Sequence, residues 1–155
     1  MMLTKRADTP LDFDFAKVVE ASKDNPVFYV QYAHARVASL KRKAAEAGLD
    51  VSVAADLTLL DEEELGLVKF ASQYPRVVEG AAMAHEPHRI AFYLYDLAAA
   101  FHALWNRGND DPGRRFLLDE RPDLSRARLA LASGVQQVIR NGLDLMGVEA
   151  AEEMR

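Results

Sequence analysis

The stretch Asn25–Arg36 reads NPVFYVQYAHAR and sets the pattern for the fold. Asn25 can cap a helix whose first position is Pro26, where the missing proline N–H costs no hydrogen bond. Beyond it, apolar residues recur at three- and four-residue steps as far as Gly48: Val30, Ala33, Val37, Leu40 and Ala44. This spacing predicts one amphipathic helix over about residues 26–47.

A capping motif predicts the second helix. Asp61 is followed three residues later by Glu64, the spacing of a capping box, and an acidic run favours the positive end of a helix dipole. Helical spacing then continues to about Gln73. We therefore interpret the acids at 61–64 as a helix start rather than as general acid–base groups of an active site.

Prolines mark the starts of the remaining helices. Pro75 begins a short helix, and Pro87 begins a longer one whose apolar stripe ends near Trp105 and Gly108. The segment 107–122 is rich in turn-favouring residues and is predicted to be a loop. After Pro122, a last apolar stripe continues to the glycine at 147. The sequence thus predicts an all-α fold, a bundle of about five main helices.

Length and composition limit the class of protein. The chain has 155 residues, half of them hydrophobic and 28% charged, as expected for one globular domain. We assign residues 1–24 to a link with a short helix and residues 25–155 to the helical domain. Because the sequence has no cysteine, a disulfide scaffold, a thiolate zinc site and a cysteine nucleophile are excluded. No apolar run approaches the ~18 residues of a membrane span.

The charge is distributed unevenly. The net charge is -5, yet residues 25–47 carry four basic side chains against one acid, whereas residues 50–64 carry six acids and no base. One interpretation is a solvated basic helix beside an acidic helix start. The other is a local phosphate-facing patch, in which case the acidic run must face elsewhere. Composition alone leaves both open.

No catalytic or metal-binding pattern is present. Of the four histidines, His85 and His88 are close in sequence, but no carboxylate stands at the spacing of a zinc protease. A glycine-rich phosphate loop and a GxSxG motif are also absent from the sequence. We therefore predict no active site, no metal and no cofactor in this chain.

The stretch at 25–36 resembles the NPxxYVQYAHAR segment that opens the anticodon-binding domain of arginyl-tRNA synthetases. Further stretches are similar to the family's YLYDLA helix, its last helix and terminus, and its link out of the catalytic domain. They are residues 93–98 with Phe101 and Trp105, residues 128–131 and 141–150 with Met154, and residues 5–8 with 11–14. The resemblance covers nearly the whole chain and implies a C-terminal DALR-type domain of the class I synthetase anticodon-binding kind.

The resemblance implies a function in translation. The full-length enzyme joins arginine to its tRNA with ATP, but the family's HIGH and KMSK signatures and its tRNA-elbow module are absent from these residues. We therefore expect no enzymatic activity and no cofactor in this segment alone. The implied partners are the anticodon loop of the arginine tRNA and the catalytic domain of the same polypeptide. A cytoplasmic monomer without membrane contact is expected. The alternative is a free-standing helical interaction domain that has lost tRNA binding.

The resemblance also implies which residues contact tRNA. Tyr32 and Trp105 match aromatic positions that contact anticodon bases, and Met154 matches the terminus that packs beside them. Arg36 follows Tyr32 by one helical turn, so both can share a face. Proteins hold unstacked bases by stacking on aromatic rings, while polar groups read the base edges. The arginine tRNAs share a central anticodon cytosine, which the family recognises. Arg155, after Met154, departs from the family's usual terminus.

Five further residues are weaker candidates for contact with tRNA: Asn25, Gln31, His34, Lys41 and Arg42. Each has a structural alternative. Asn25 is most simply the helix cap, and Gln31 and His34 can be buried polar groups that fix the helix against its neighbours. Without the resemblance, Tyr32 itself is more simply a core aromatic.

Overall fold

A computed structural model describes residues 25–50 and 53–154; the predicted link at 1–24 and Arg155 lie outside the described residues. In the described ranges the chain forms five α-helices, two short 3-10 turns and no strand. None of these helices is long and apolar enough to cross a membrane. The helices are α1 (Pro26–Glu46), α2 (Glu62–Ala71), α3 (Tyr74–Ala84), α4 (His88–Asp110) and α5 (Pro122–Leu145).

The core lies where α1, α4 and α5 meet. All three pairs of these helices pack against each other, and their apolar stripes supply the completely buried side chains. The largest of these are Phe101, Leu94, Leu97, Ile139, Leu143, Val37 and Val135. α2 packs against α4 and α5, whereas α3 packs against α4. The predicted all-α bundle of about five helices is confirmed.

The predicted helix starts are confirmed at atomic level. The Asn25 side chain accepts a hydrogen bond from the Val27 N–H at 3.1 Å and caps α1. Asp61 accepts from the Glu64 N–H at 2.9 Å, and a Glu64 oxygen accepts from the Asp61 N–H at 2.9 Å, which completes the capping box.

The end of α4 differs from the prediction. The helix continues through Gly108 to Asp110, so the loop before α5 is shorter than the sequence indicates. Gly108 is buried, and a Cβ on it would lie 3.2 Å from the Arg115 Cα. The Arg115 Nε donates to the Gly108 carbonyl at 3.2 Å. This packing overrides the low helix propensity of glycine, asparagine and aspartate.

A buried ion pair ties the loop to the bundle. The Arg128 Nε donates to Glu64 at 2.6 Å, and both side chains are buried. Its Nη1 donates to the carbonyls of Gly113 at 2.9 Å and Arg115 at 2.7 Å. The acid at 64 is therefore a structural group, which confirms that the acidic run is a helix start.

Candidate nucleic-acid interface

Four residues from three parts of the chain line one open groove. Tyr32 and Arg36 lie on α1, Trp105 on α4, and Met154 in the tail that follows α5. The groove has a volume of about 480 Å³ and six further lining residues: Ala35, Ser39, Arg42, Lys43, Glu152 and Glu153. The structure thus brings together all four of the residues that the sequence singles out first.

Arg36 occupies the centre of this groove. Its guanidinium carbon lies 4.5 Å from the ring centroid of Tyr32 and 5.2 Å from that of Trp105. The Nη2 donates to the Tyr32 hydroxyl at 3.2 Å, and Nη1 contacts Nδ1 of His102 at 3.1 Å. These hydrogen bonds use two of the five N–H donors of a guanidinium, which leaves others for a ligand.

The buried side chain of His102 holds the Arg36 guanidinium in place. Because a guanidinium only donates, Nδ1 of His102 accepts, and the ring proton is on Nε2, which faces the Tyr29 carbonyl at 3.4 Å. Burial lowers the pKa of His102 to about 4; the Arg36 charge adds to this, while the Tyr29 carbonyl opposes it. The imidazole is therefore neutral at pH 7. His102 is not among the residues that the sequence singles out, although its position three before Trp105 puts both on one face of α4.

Trp105 belongs to a packed aromatic group. Its ring stacks on Phe116 with centroids 5.4 Å apart and planes inclined by 28°, and Phe101 lies 5.9 Å away. Because α4 continues to Asp110, the indole lies within the helix and not at its predicted end. Packing on Phe116 and Arg36 fixes the orientation of the half-buried ring.

Tyr32 is the more accessible ring. It is 43% exposed, so the core alternative for this tyrosine is wrong. Its ring centroid lies 5.5 Å from that of His102, and its hydroxyl is held by Arg36. Because His102 and Arg36 already restrict the exposed ring of Tyr32, the ring can stack on a base with little loss of side-chain entropy.

Three of the five weaker candidates have structural roles. Asn25 is buried and caps α1. His34 is completely buried, and its Nδ1 contacts the Ala151 carbonyl at 2.9 Å. Gln31 donates to the Glu149 carbonyl at 2.7 Å. The geometry favours the structural alternative for all three, because their polar groups are occupied by the protein.

Lys41 and Arg42 point to different places. The Lys41 Nζ donates to Gln136 at 2.6 Å and lines a neighbouring cavity between α1 and α5, not the groove. Burial lowers the pKa of Lys41, and the charge of Arg140 adds to this effect. Arg42 lines both the cavity and the groove. The basic residues of α1 are therefore divided, and the groove receives Arg36, Arg42 and Lys43.

The acidic run faces the other side of α4. Arg107 follows Trp105 by two residues, so the two side chains leave the helix roughly 200° apart. Arg107 pairs with Glu63, and Arg114 contacts both Glu63 and Asp61, at 2.9 and 3.4 Å. Intramolecular ion pairs thus hold these acids away from the groove. In the described residues, no group of three or more histidine, aspartate or glutamate side chains could hold a metal ion.

Comparison with known proteins gives matches over most of the chain. A family model described as "DALR anticodon binding domain" matches residues 30–154. The chain is 60% identical over 153 residues to an arginine–tRNA ligase of Novosphingobium aromaticivorans, covering 99% of this chain and 26% of that protein. It is 58% identical over 161 residues to an arginine–tRNA ligase of Parvibaculum lavamentivorans, covering all of this chain and 28% of that protein.

The fold is shared with a solved structure. The Thermus thermophilus arginyl-tRNA synthetase aligns with a TM-score of 0.82 and 33% identity, over 99% of this chain and 25% of that one. The chain thus spans about a quarter of the length of the relatives that it matches. The family model covers most of the chain, and the helical fold of its structural relative agrees with it. The chain therefore belongs to the DALR anticodon-binding domain family.

Proposed function

We propose that this chain is the anticodon-binding part of an arginine–tRNA ligase and that its groove holds bases of the anticodon loop. The convergence of Tyr32, Arg36, Trp105 and Met154 on one groove carries this proposal. Activation of arginine with ATP and its transfer to tRNA belong to the rest of such a ligase, so this segment alone catalyses neither step. We place the protein in the cytoplasm, where translation occurs, as a monomer. No observation favours a free-standing interaction domain.

Stacking supplies the base-independent part of the binding. Phe116 and Arg36 already contact the ring of Trp105, so the accessible aromatic surface for a base is the ring of Tyr32. Aromatic rings and guanidinium planes are both common partners of unstacked RNA bases. Each stacked base contributes roughly 1–3 kcal/mol to binding.

Hydrogen bonds to the polar edge of a base supply the specificity of the binding. The remaining N–H donors of Arg36 suit a base edge that presents acceptors, as the O2 and N3 atoms of cytosine do. His102 keeps the guanidinium in place because it accepts from Nη1. We assign recognition of the central anticodon cytosine to Arg36, with Tyr32 as the stacking partner.

Electrostatic attraction to the RNA is modest. Arg42 and Lys43 lie beside the groove, but Glu152 and Glu153 line it too. Since a Debye length of ~8 Å at physiological salt screens more distant charges, only a few phosphates are neutralised. We expect micromolar or weaker affinity for this segment alone, because avidity from other parts of a ligase is absent.

Titration of a labelled anticodon stem-loop of the arginine tRNA tests the proposal. Tyr32→Ala is expected to weaken binding by about 1–3 kcal/mol through lost stacking. Tyr95→Ala is the matched control, because Tyr95 is 42% exposed on α4 and does not line the groove. Equal affinities for the two variants, or no preference for a central cytosine in the wild-type protein, would contradict the proposal.

A further inference from the structure

We infer that Gln31, His34 and Arg140 form a clamp that holds the tail after α5 against α1 and so fixes Met154 in the groove. These are positioning residues, since none of them lines the groove itself. The effect of the clamp on RNA binding rests on the function proposed above. The effect of the clamp on the position of the tail is independent of that function.

The clamp binds the backbone of the tail. Gln31 Nε2 donates to the Glu149 carbonyl at 2.7 Å, and His34 Nδ1 donates to the Ala151 carbonyl at 2.9 Å. Residues three apart on a helix are about 5–6 Å apart on one face, and carbonyls two residues apart in an extended chain are separated by about 6.6 Å. Two side chains of α1 can therefore match alternate carbonyls of the tail, independently of its side chains.

The tautomer of His34 connects this contact to α5. His34 is completely buried, and because Nδ1 donates to the tail, Nε2 must accept. Arg140 supplies that donor from Nε at 3.4 Å, and its Nη2 contacts Glu152 at 2.9 Å. One guanidinium thus fixes the imidazole and also a side chain of the tail.

The tail leaves α5 by a tight turn and then has no regular secondary structure. Gly147 has a φ of +68°, a left-handed conformation that ends α5, and the Val148 N–H returns to the Leu143 carbonyl at 2.9 Å. Beyond this turn, residues 148–154 form neither helix nor strand. Met154 is three residues past the last clamped carbonyl, so its position depends on that anchor.

Other contacts of the tail are weaker. Arg42 approaches Glu153 at 3.7 Å, but both side chains are largely exposed, and such pairs contribute little. Val148 and Ala150 pack against the core as partly buried residues. They anchor the start of the tail, whereas His34 and Arg140 hold it at Ala151 and Glu152, closer to Met154.

The rate of methionine oxidation by hydrogen peroxide tests the clamp without RNA. Met154 is half-buried, whereas Met83 is 78% exposed and serves as an internal reference in the same digest. Gln31→Met and Arg140→Met each remove clamp donors with little change of volume. Gln137→Met is the matched control, since Gln137 is exposed on α5 and its side chain donates to Asn141 at 2.7 Å rather than to the tail.

We expect each clamp variant to raise the Met154 oxidation rate, relative to Met83, by about fivefold, the population change that one ordinary hydrogen bond supports. The control leaves the ratio unchanged. An unchanged ratio in both clamp variants would overturn the inference. Because both variants retain His34, a folded protein is expected, and thermal unfolding of each verifies it.

Stem-loop titration of the same variants completes the test. Weaker binding by the clamp variants, with the control unchanged, supports the positioning role. Faster oxidation with unchanged affinity shows that the position of Met154 does not matter to binding and overturns that role. If the wild-type protein fails to bind the stem-loop, the proposed function is wrong, while the oxidation ratio still decides whether the clamp holds the tail.

Discussion

Arg36 donates a hydrogen bond from Nη1 to Nδ1 of His102, with the two atoms 3.1 Å apart. The contact requires a neutral imidazole, because a protonated ring has no acceptor and carries a charge like that of the guanidinium. The central cation of the groove is thus held by a buried residue that does not line the groove. Protonation of His102 would therefore remove this hydrogen bond and release the Arg36 guanidinium in the groove.

Folding stability is expected to fall in mild acid because of His102. Its pKa is lowered from 6.5 to about 4, so the unfolded chain takes up a proton at higher pH than the folded chain does. Stability is lost as the pH falls below about 6.5, and the loss levels off at about 3 kcal/mol below pH 4. Burial lowers the pKa of His34 as well, which acts in the same direction.

Denaturant unfolding between pH 7 and pH 4.5 measures this dependence. His102→Asn removes the titrating group while its side-chain oxygen can still accept from Arg36, so its profile should be flatter than that of the wild type. His85→Asn is the control, because His85 is exposed and asparagine tolerates its left-handed backbone. Parallel profiles for the wild type and His102→Asn would refute the assignment.

Gly142→Ala is expected to destabilise the protein by about 1–3 kcal/mol. A Cβ on Gly142 would lie 2.6 and 2.7 Å from the two terminal carbons of Leu94, which is completely buried, so the core must shift to accommodate it. Gly134→Ala in the same helix meets nothing within 4 Å and should stabilise by about 0.5–1 kcal/mol. Thermal unfolding of both variants would show opposite signs, and equal effects would mean that α4 and α5 are further apart than described.

Arg128→Met is expected to cost about 3–5 kcal/mol, because Glu64 then remains buried without its cation. The double variant Glu64→Gln with Arg128→Met removes the stranded charge and should recover part of the loss. Chemical denaturation of the three proteins measures the coupling. A double variant less stable than Arg128→Met alone would show that the charge of Glu64 is not what makes the single change costly.

The salt dependence of stem-loop binding is expected to distinguish three consecutive basic residues. The slope of log affinity against log salt should correspond to about two or three phosphate contacts. Arg42→Gln and Lys43→Gln should each reduce it by about one contact, because both residues line the groove. Lys41→Gln should leave it unchanged, since Lys41 donates to Gln136 outside the groove. A larger loss at Lys41 would mean that the RNA lies across the neighbouring cavity instead.

The sequence by itself determined the elements that depend on neighbouring residues. The cap at Asn25 and the capping box of Asp61 and Glu64 act within one turn, so their spacing predicts them correctly. The one-turn separation of Tyr32 and Arg36 likewise predicts their contact. Their contact with RNA stays a prediction, which the stem-loop titration tests.

Only the tertiary structure decided which distant groups meet. The extension of α4 past Gly108 depends on the backbone of Arg115, and the support of Arg36 depends on His102 from another helix. The tail has no periodicity to interpret, yet Gln31 and His34 bind its carbonyls. These contacts depend on the distances and angles between packed helices. Since every residue has a backbone carbonyl, the sequence does not indicate which carbonyls bind a distant side chain.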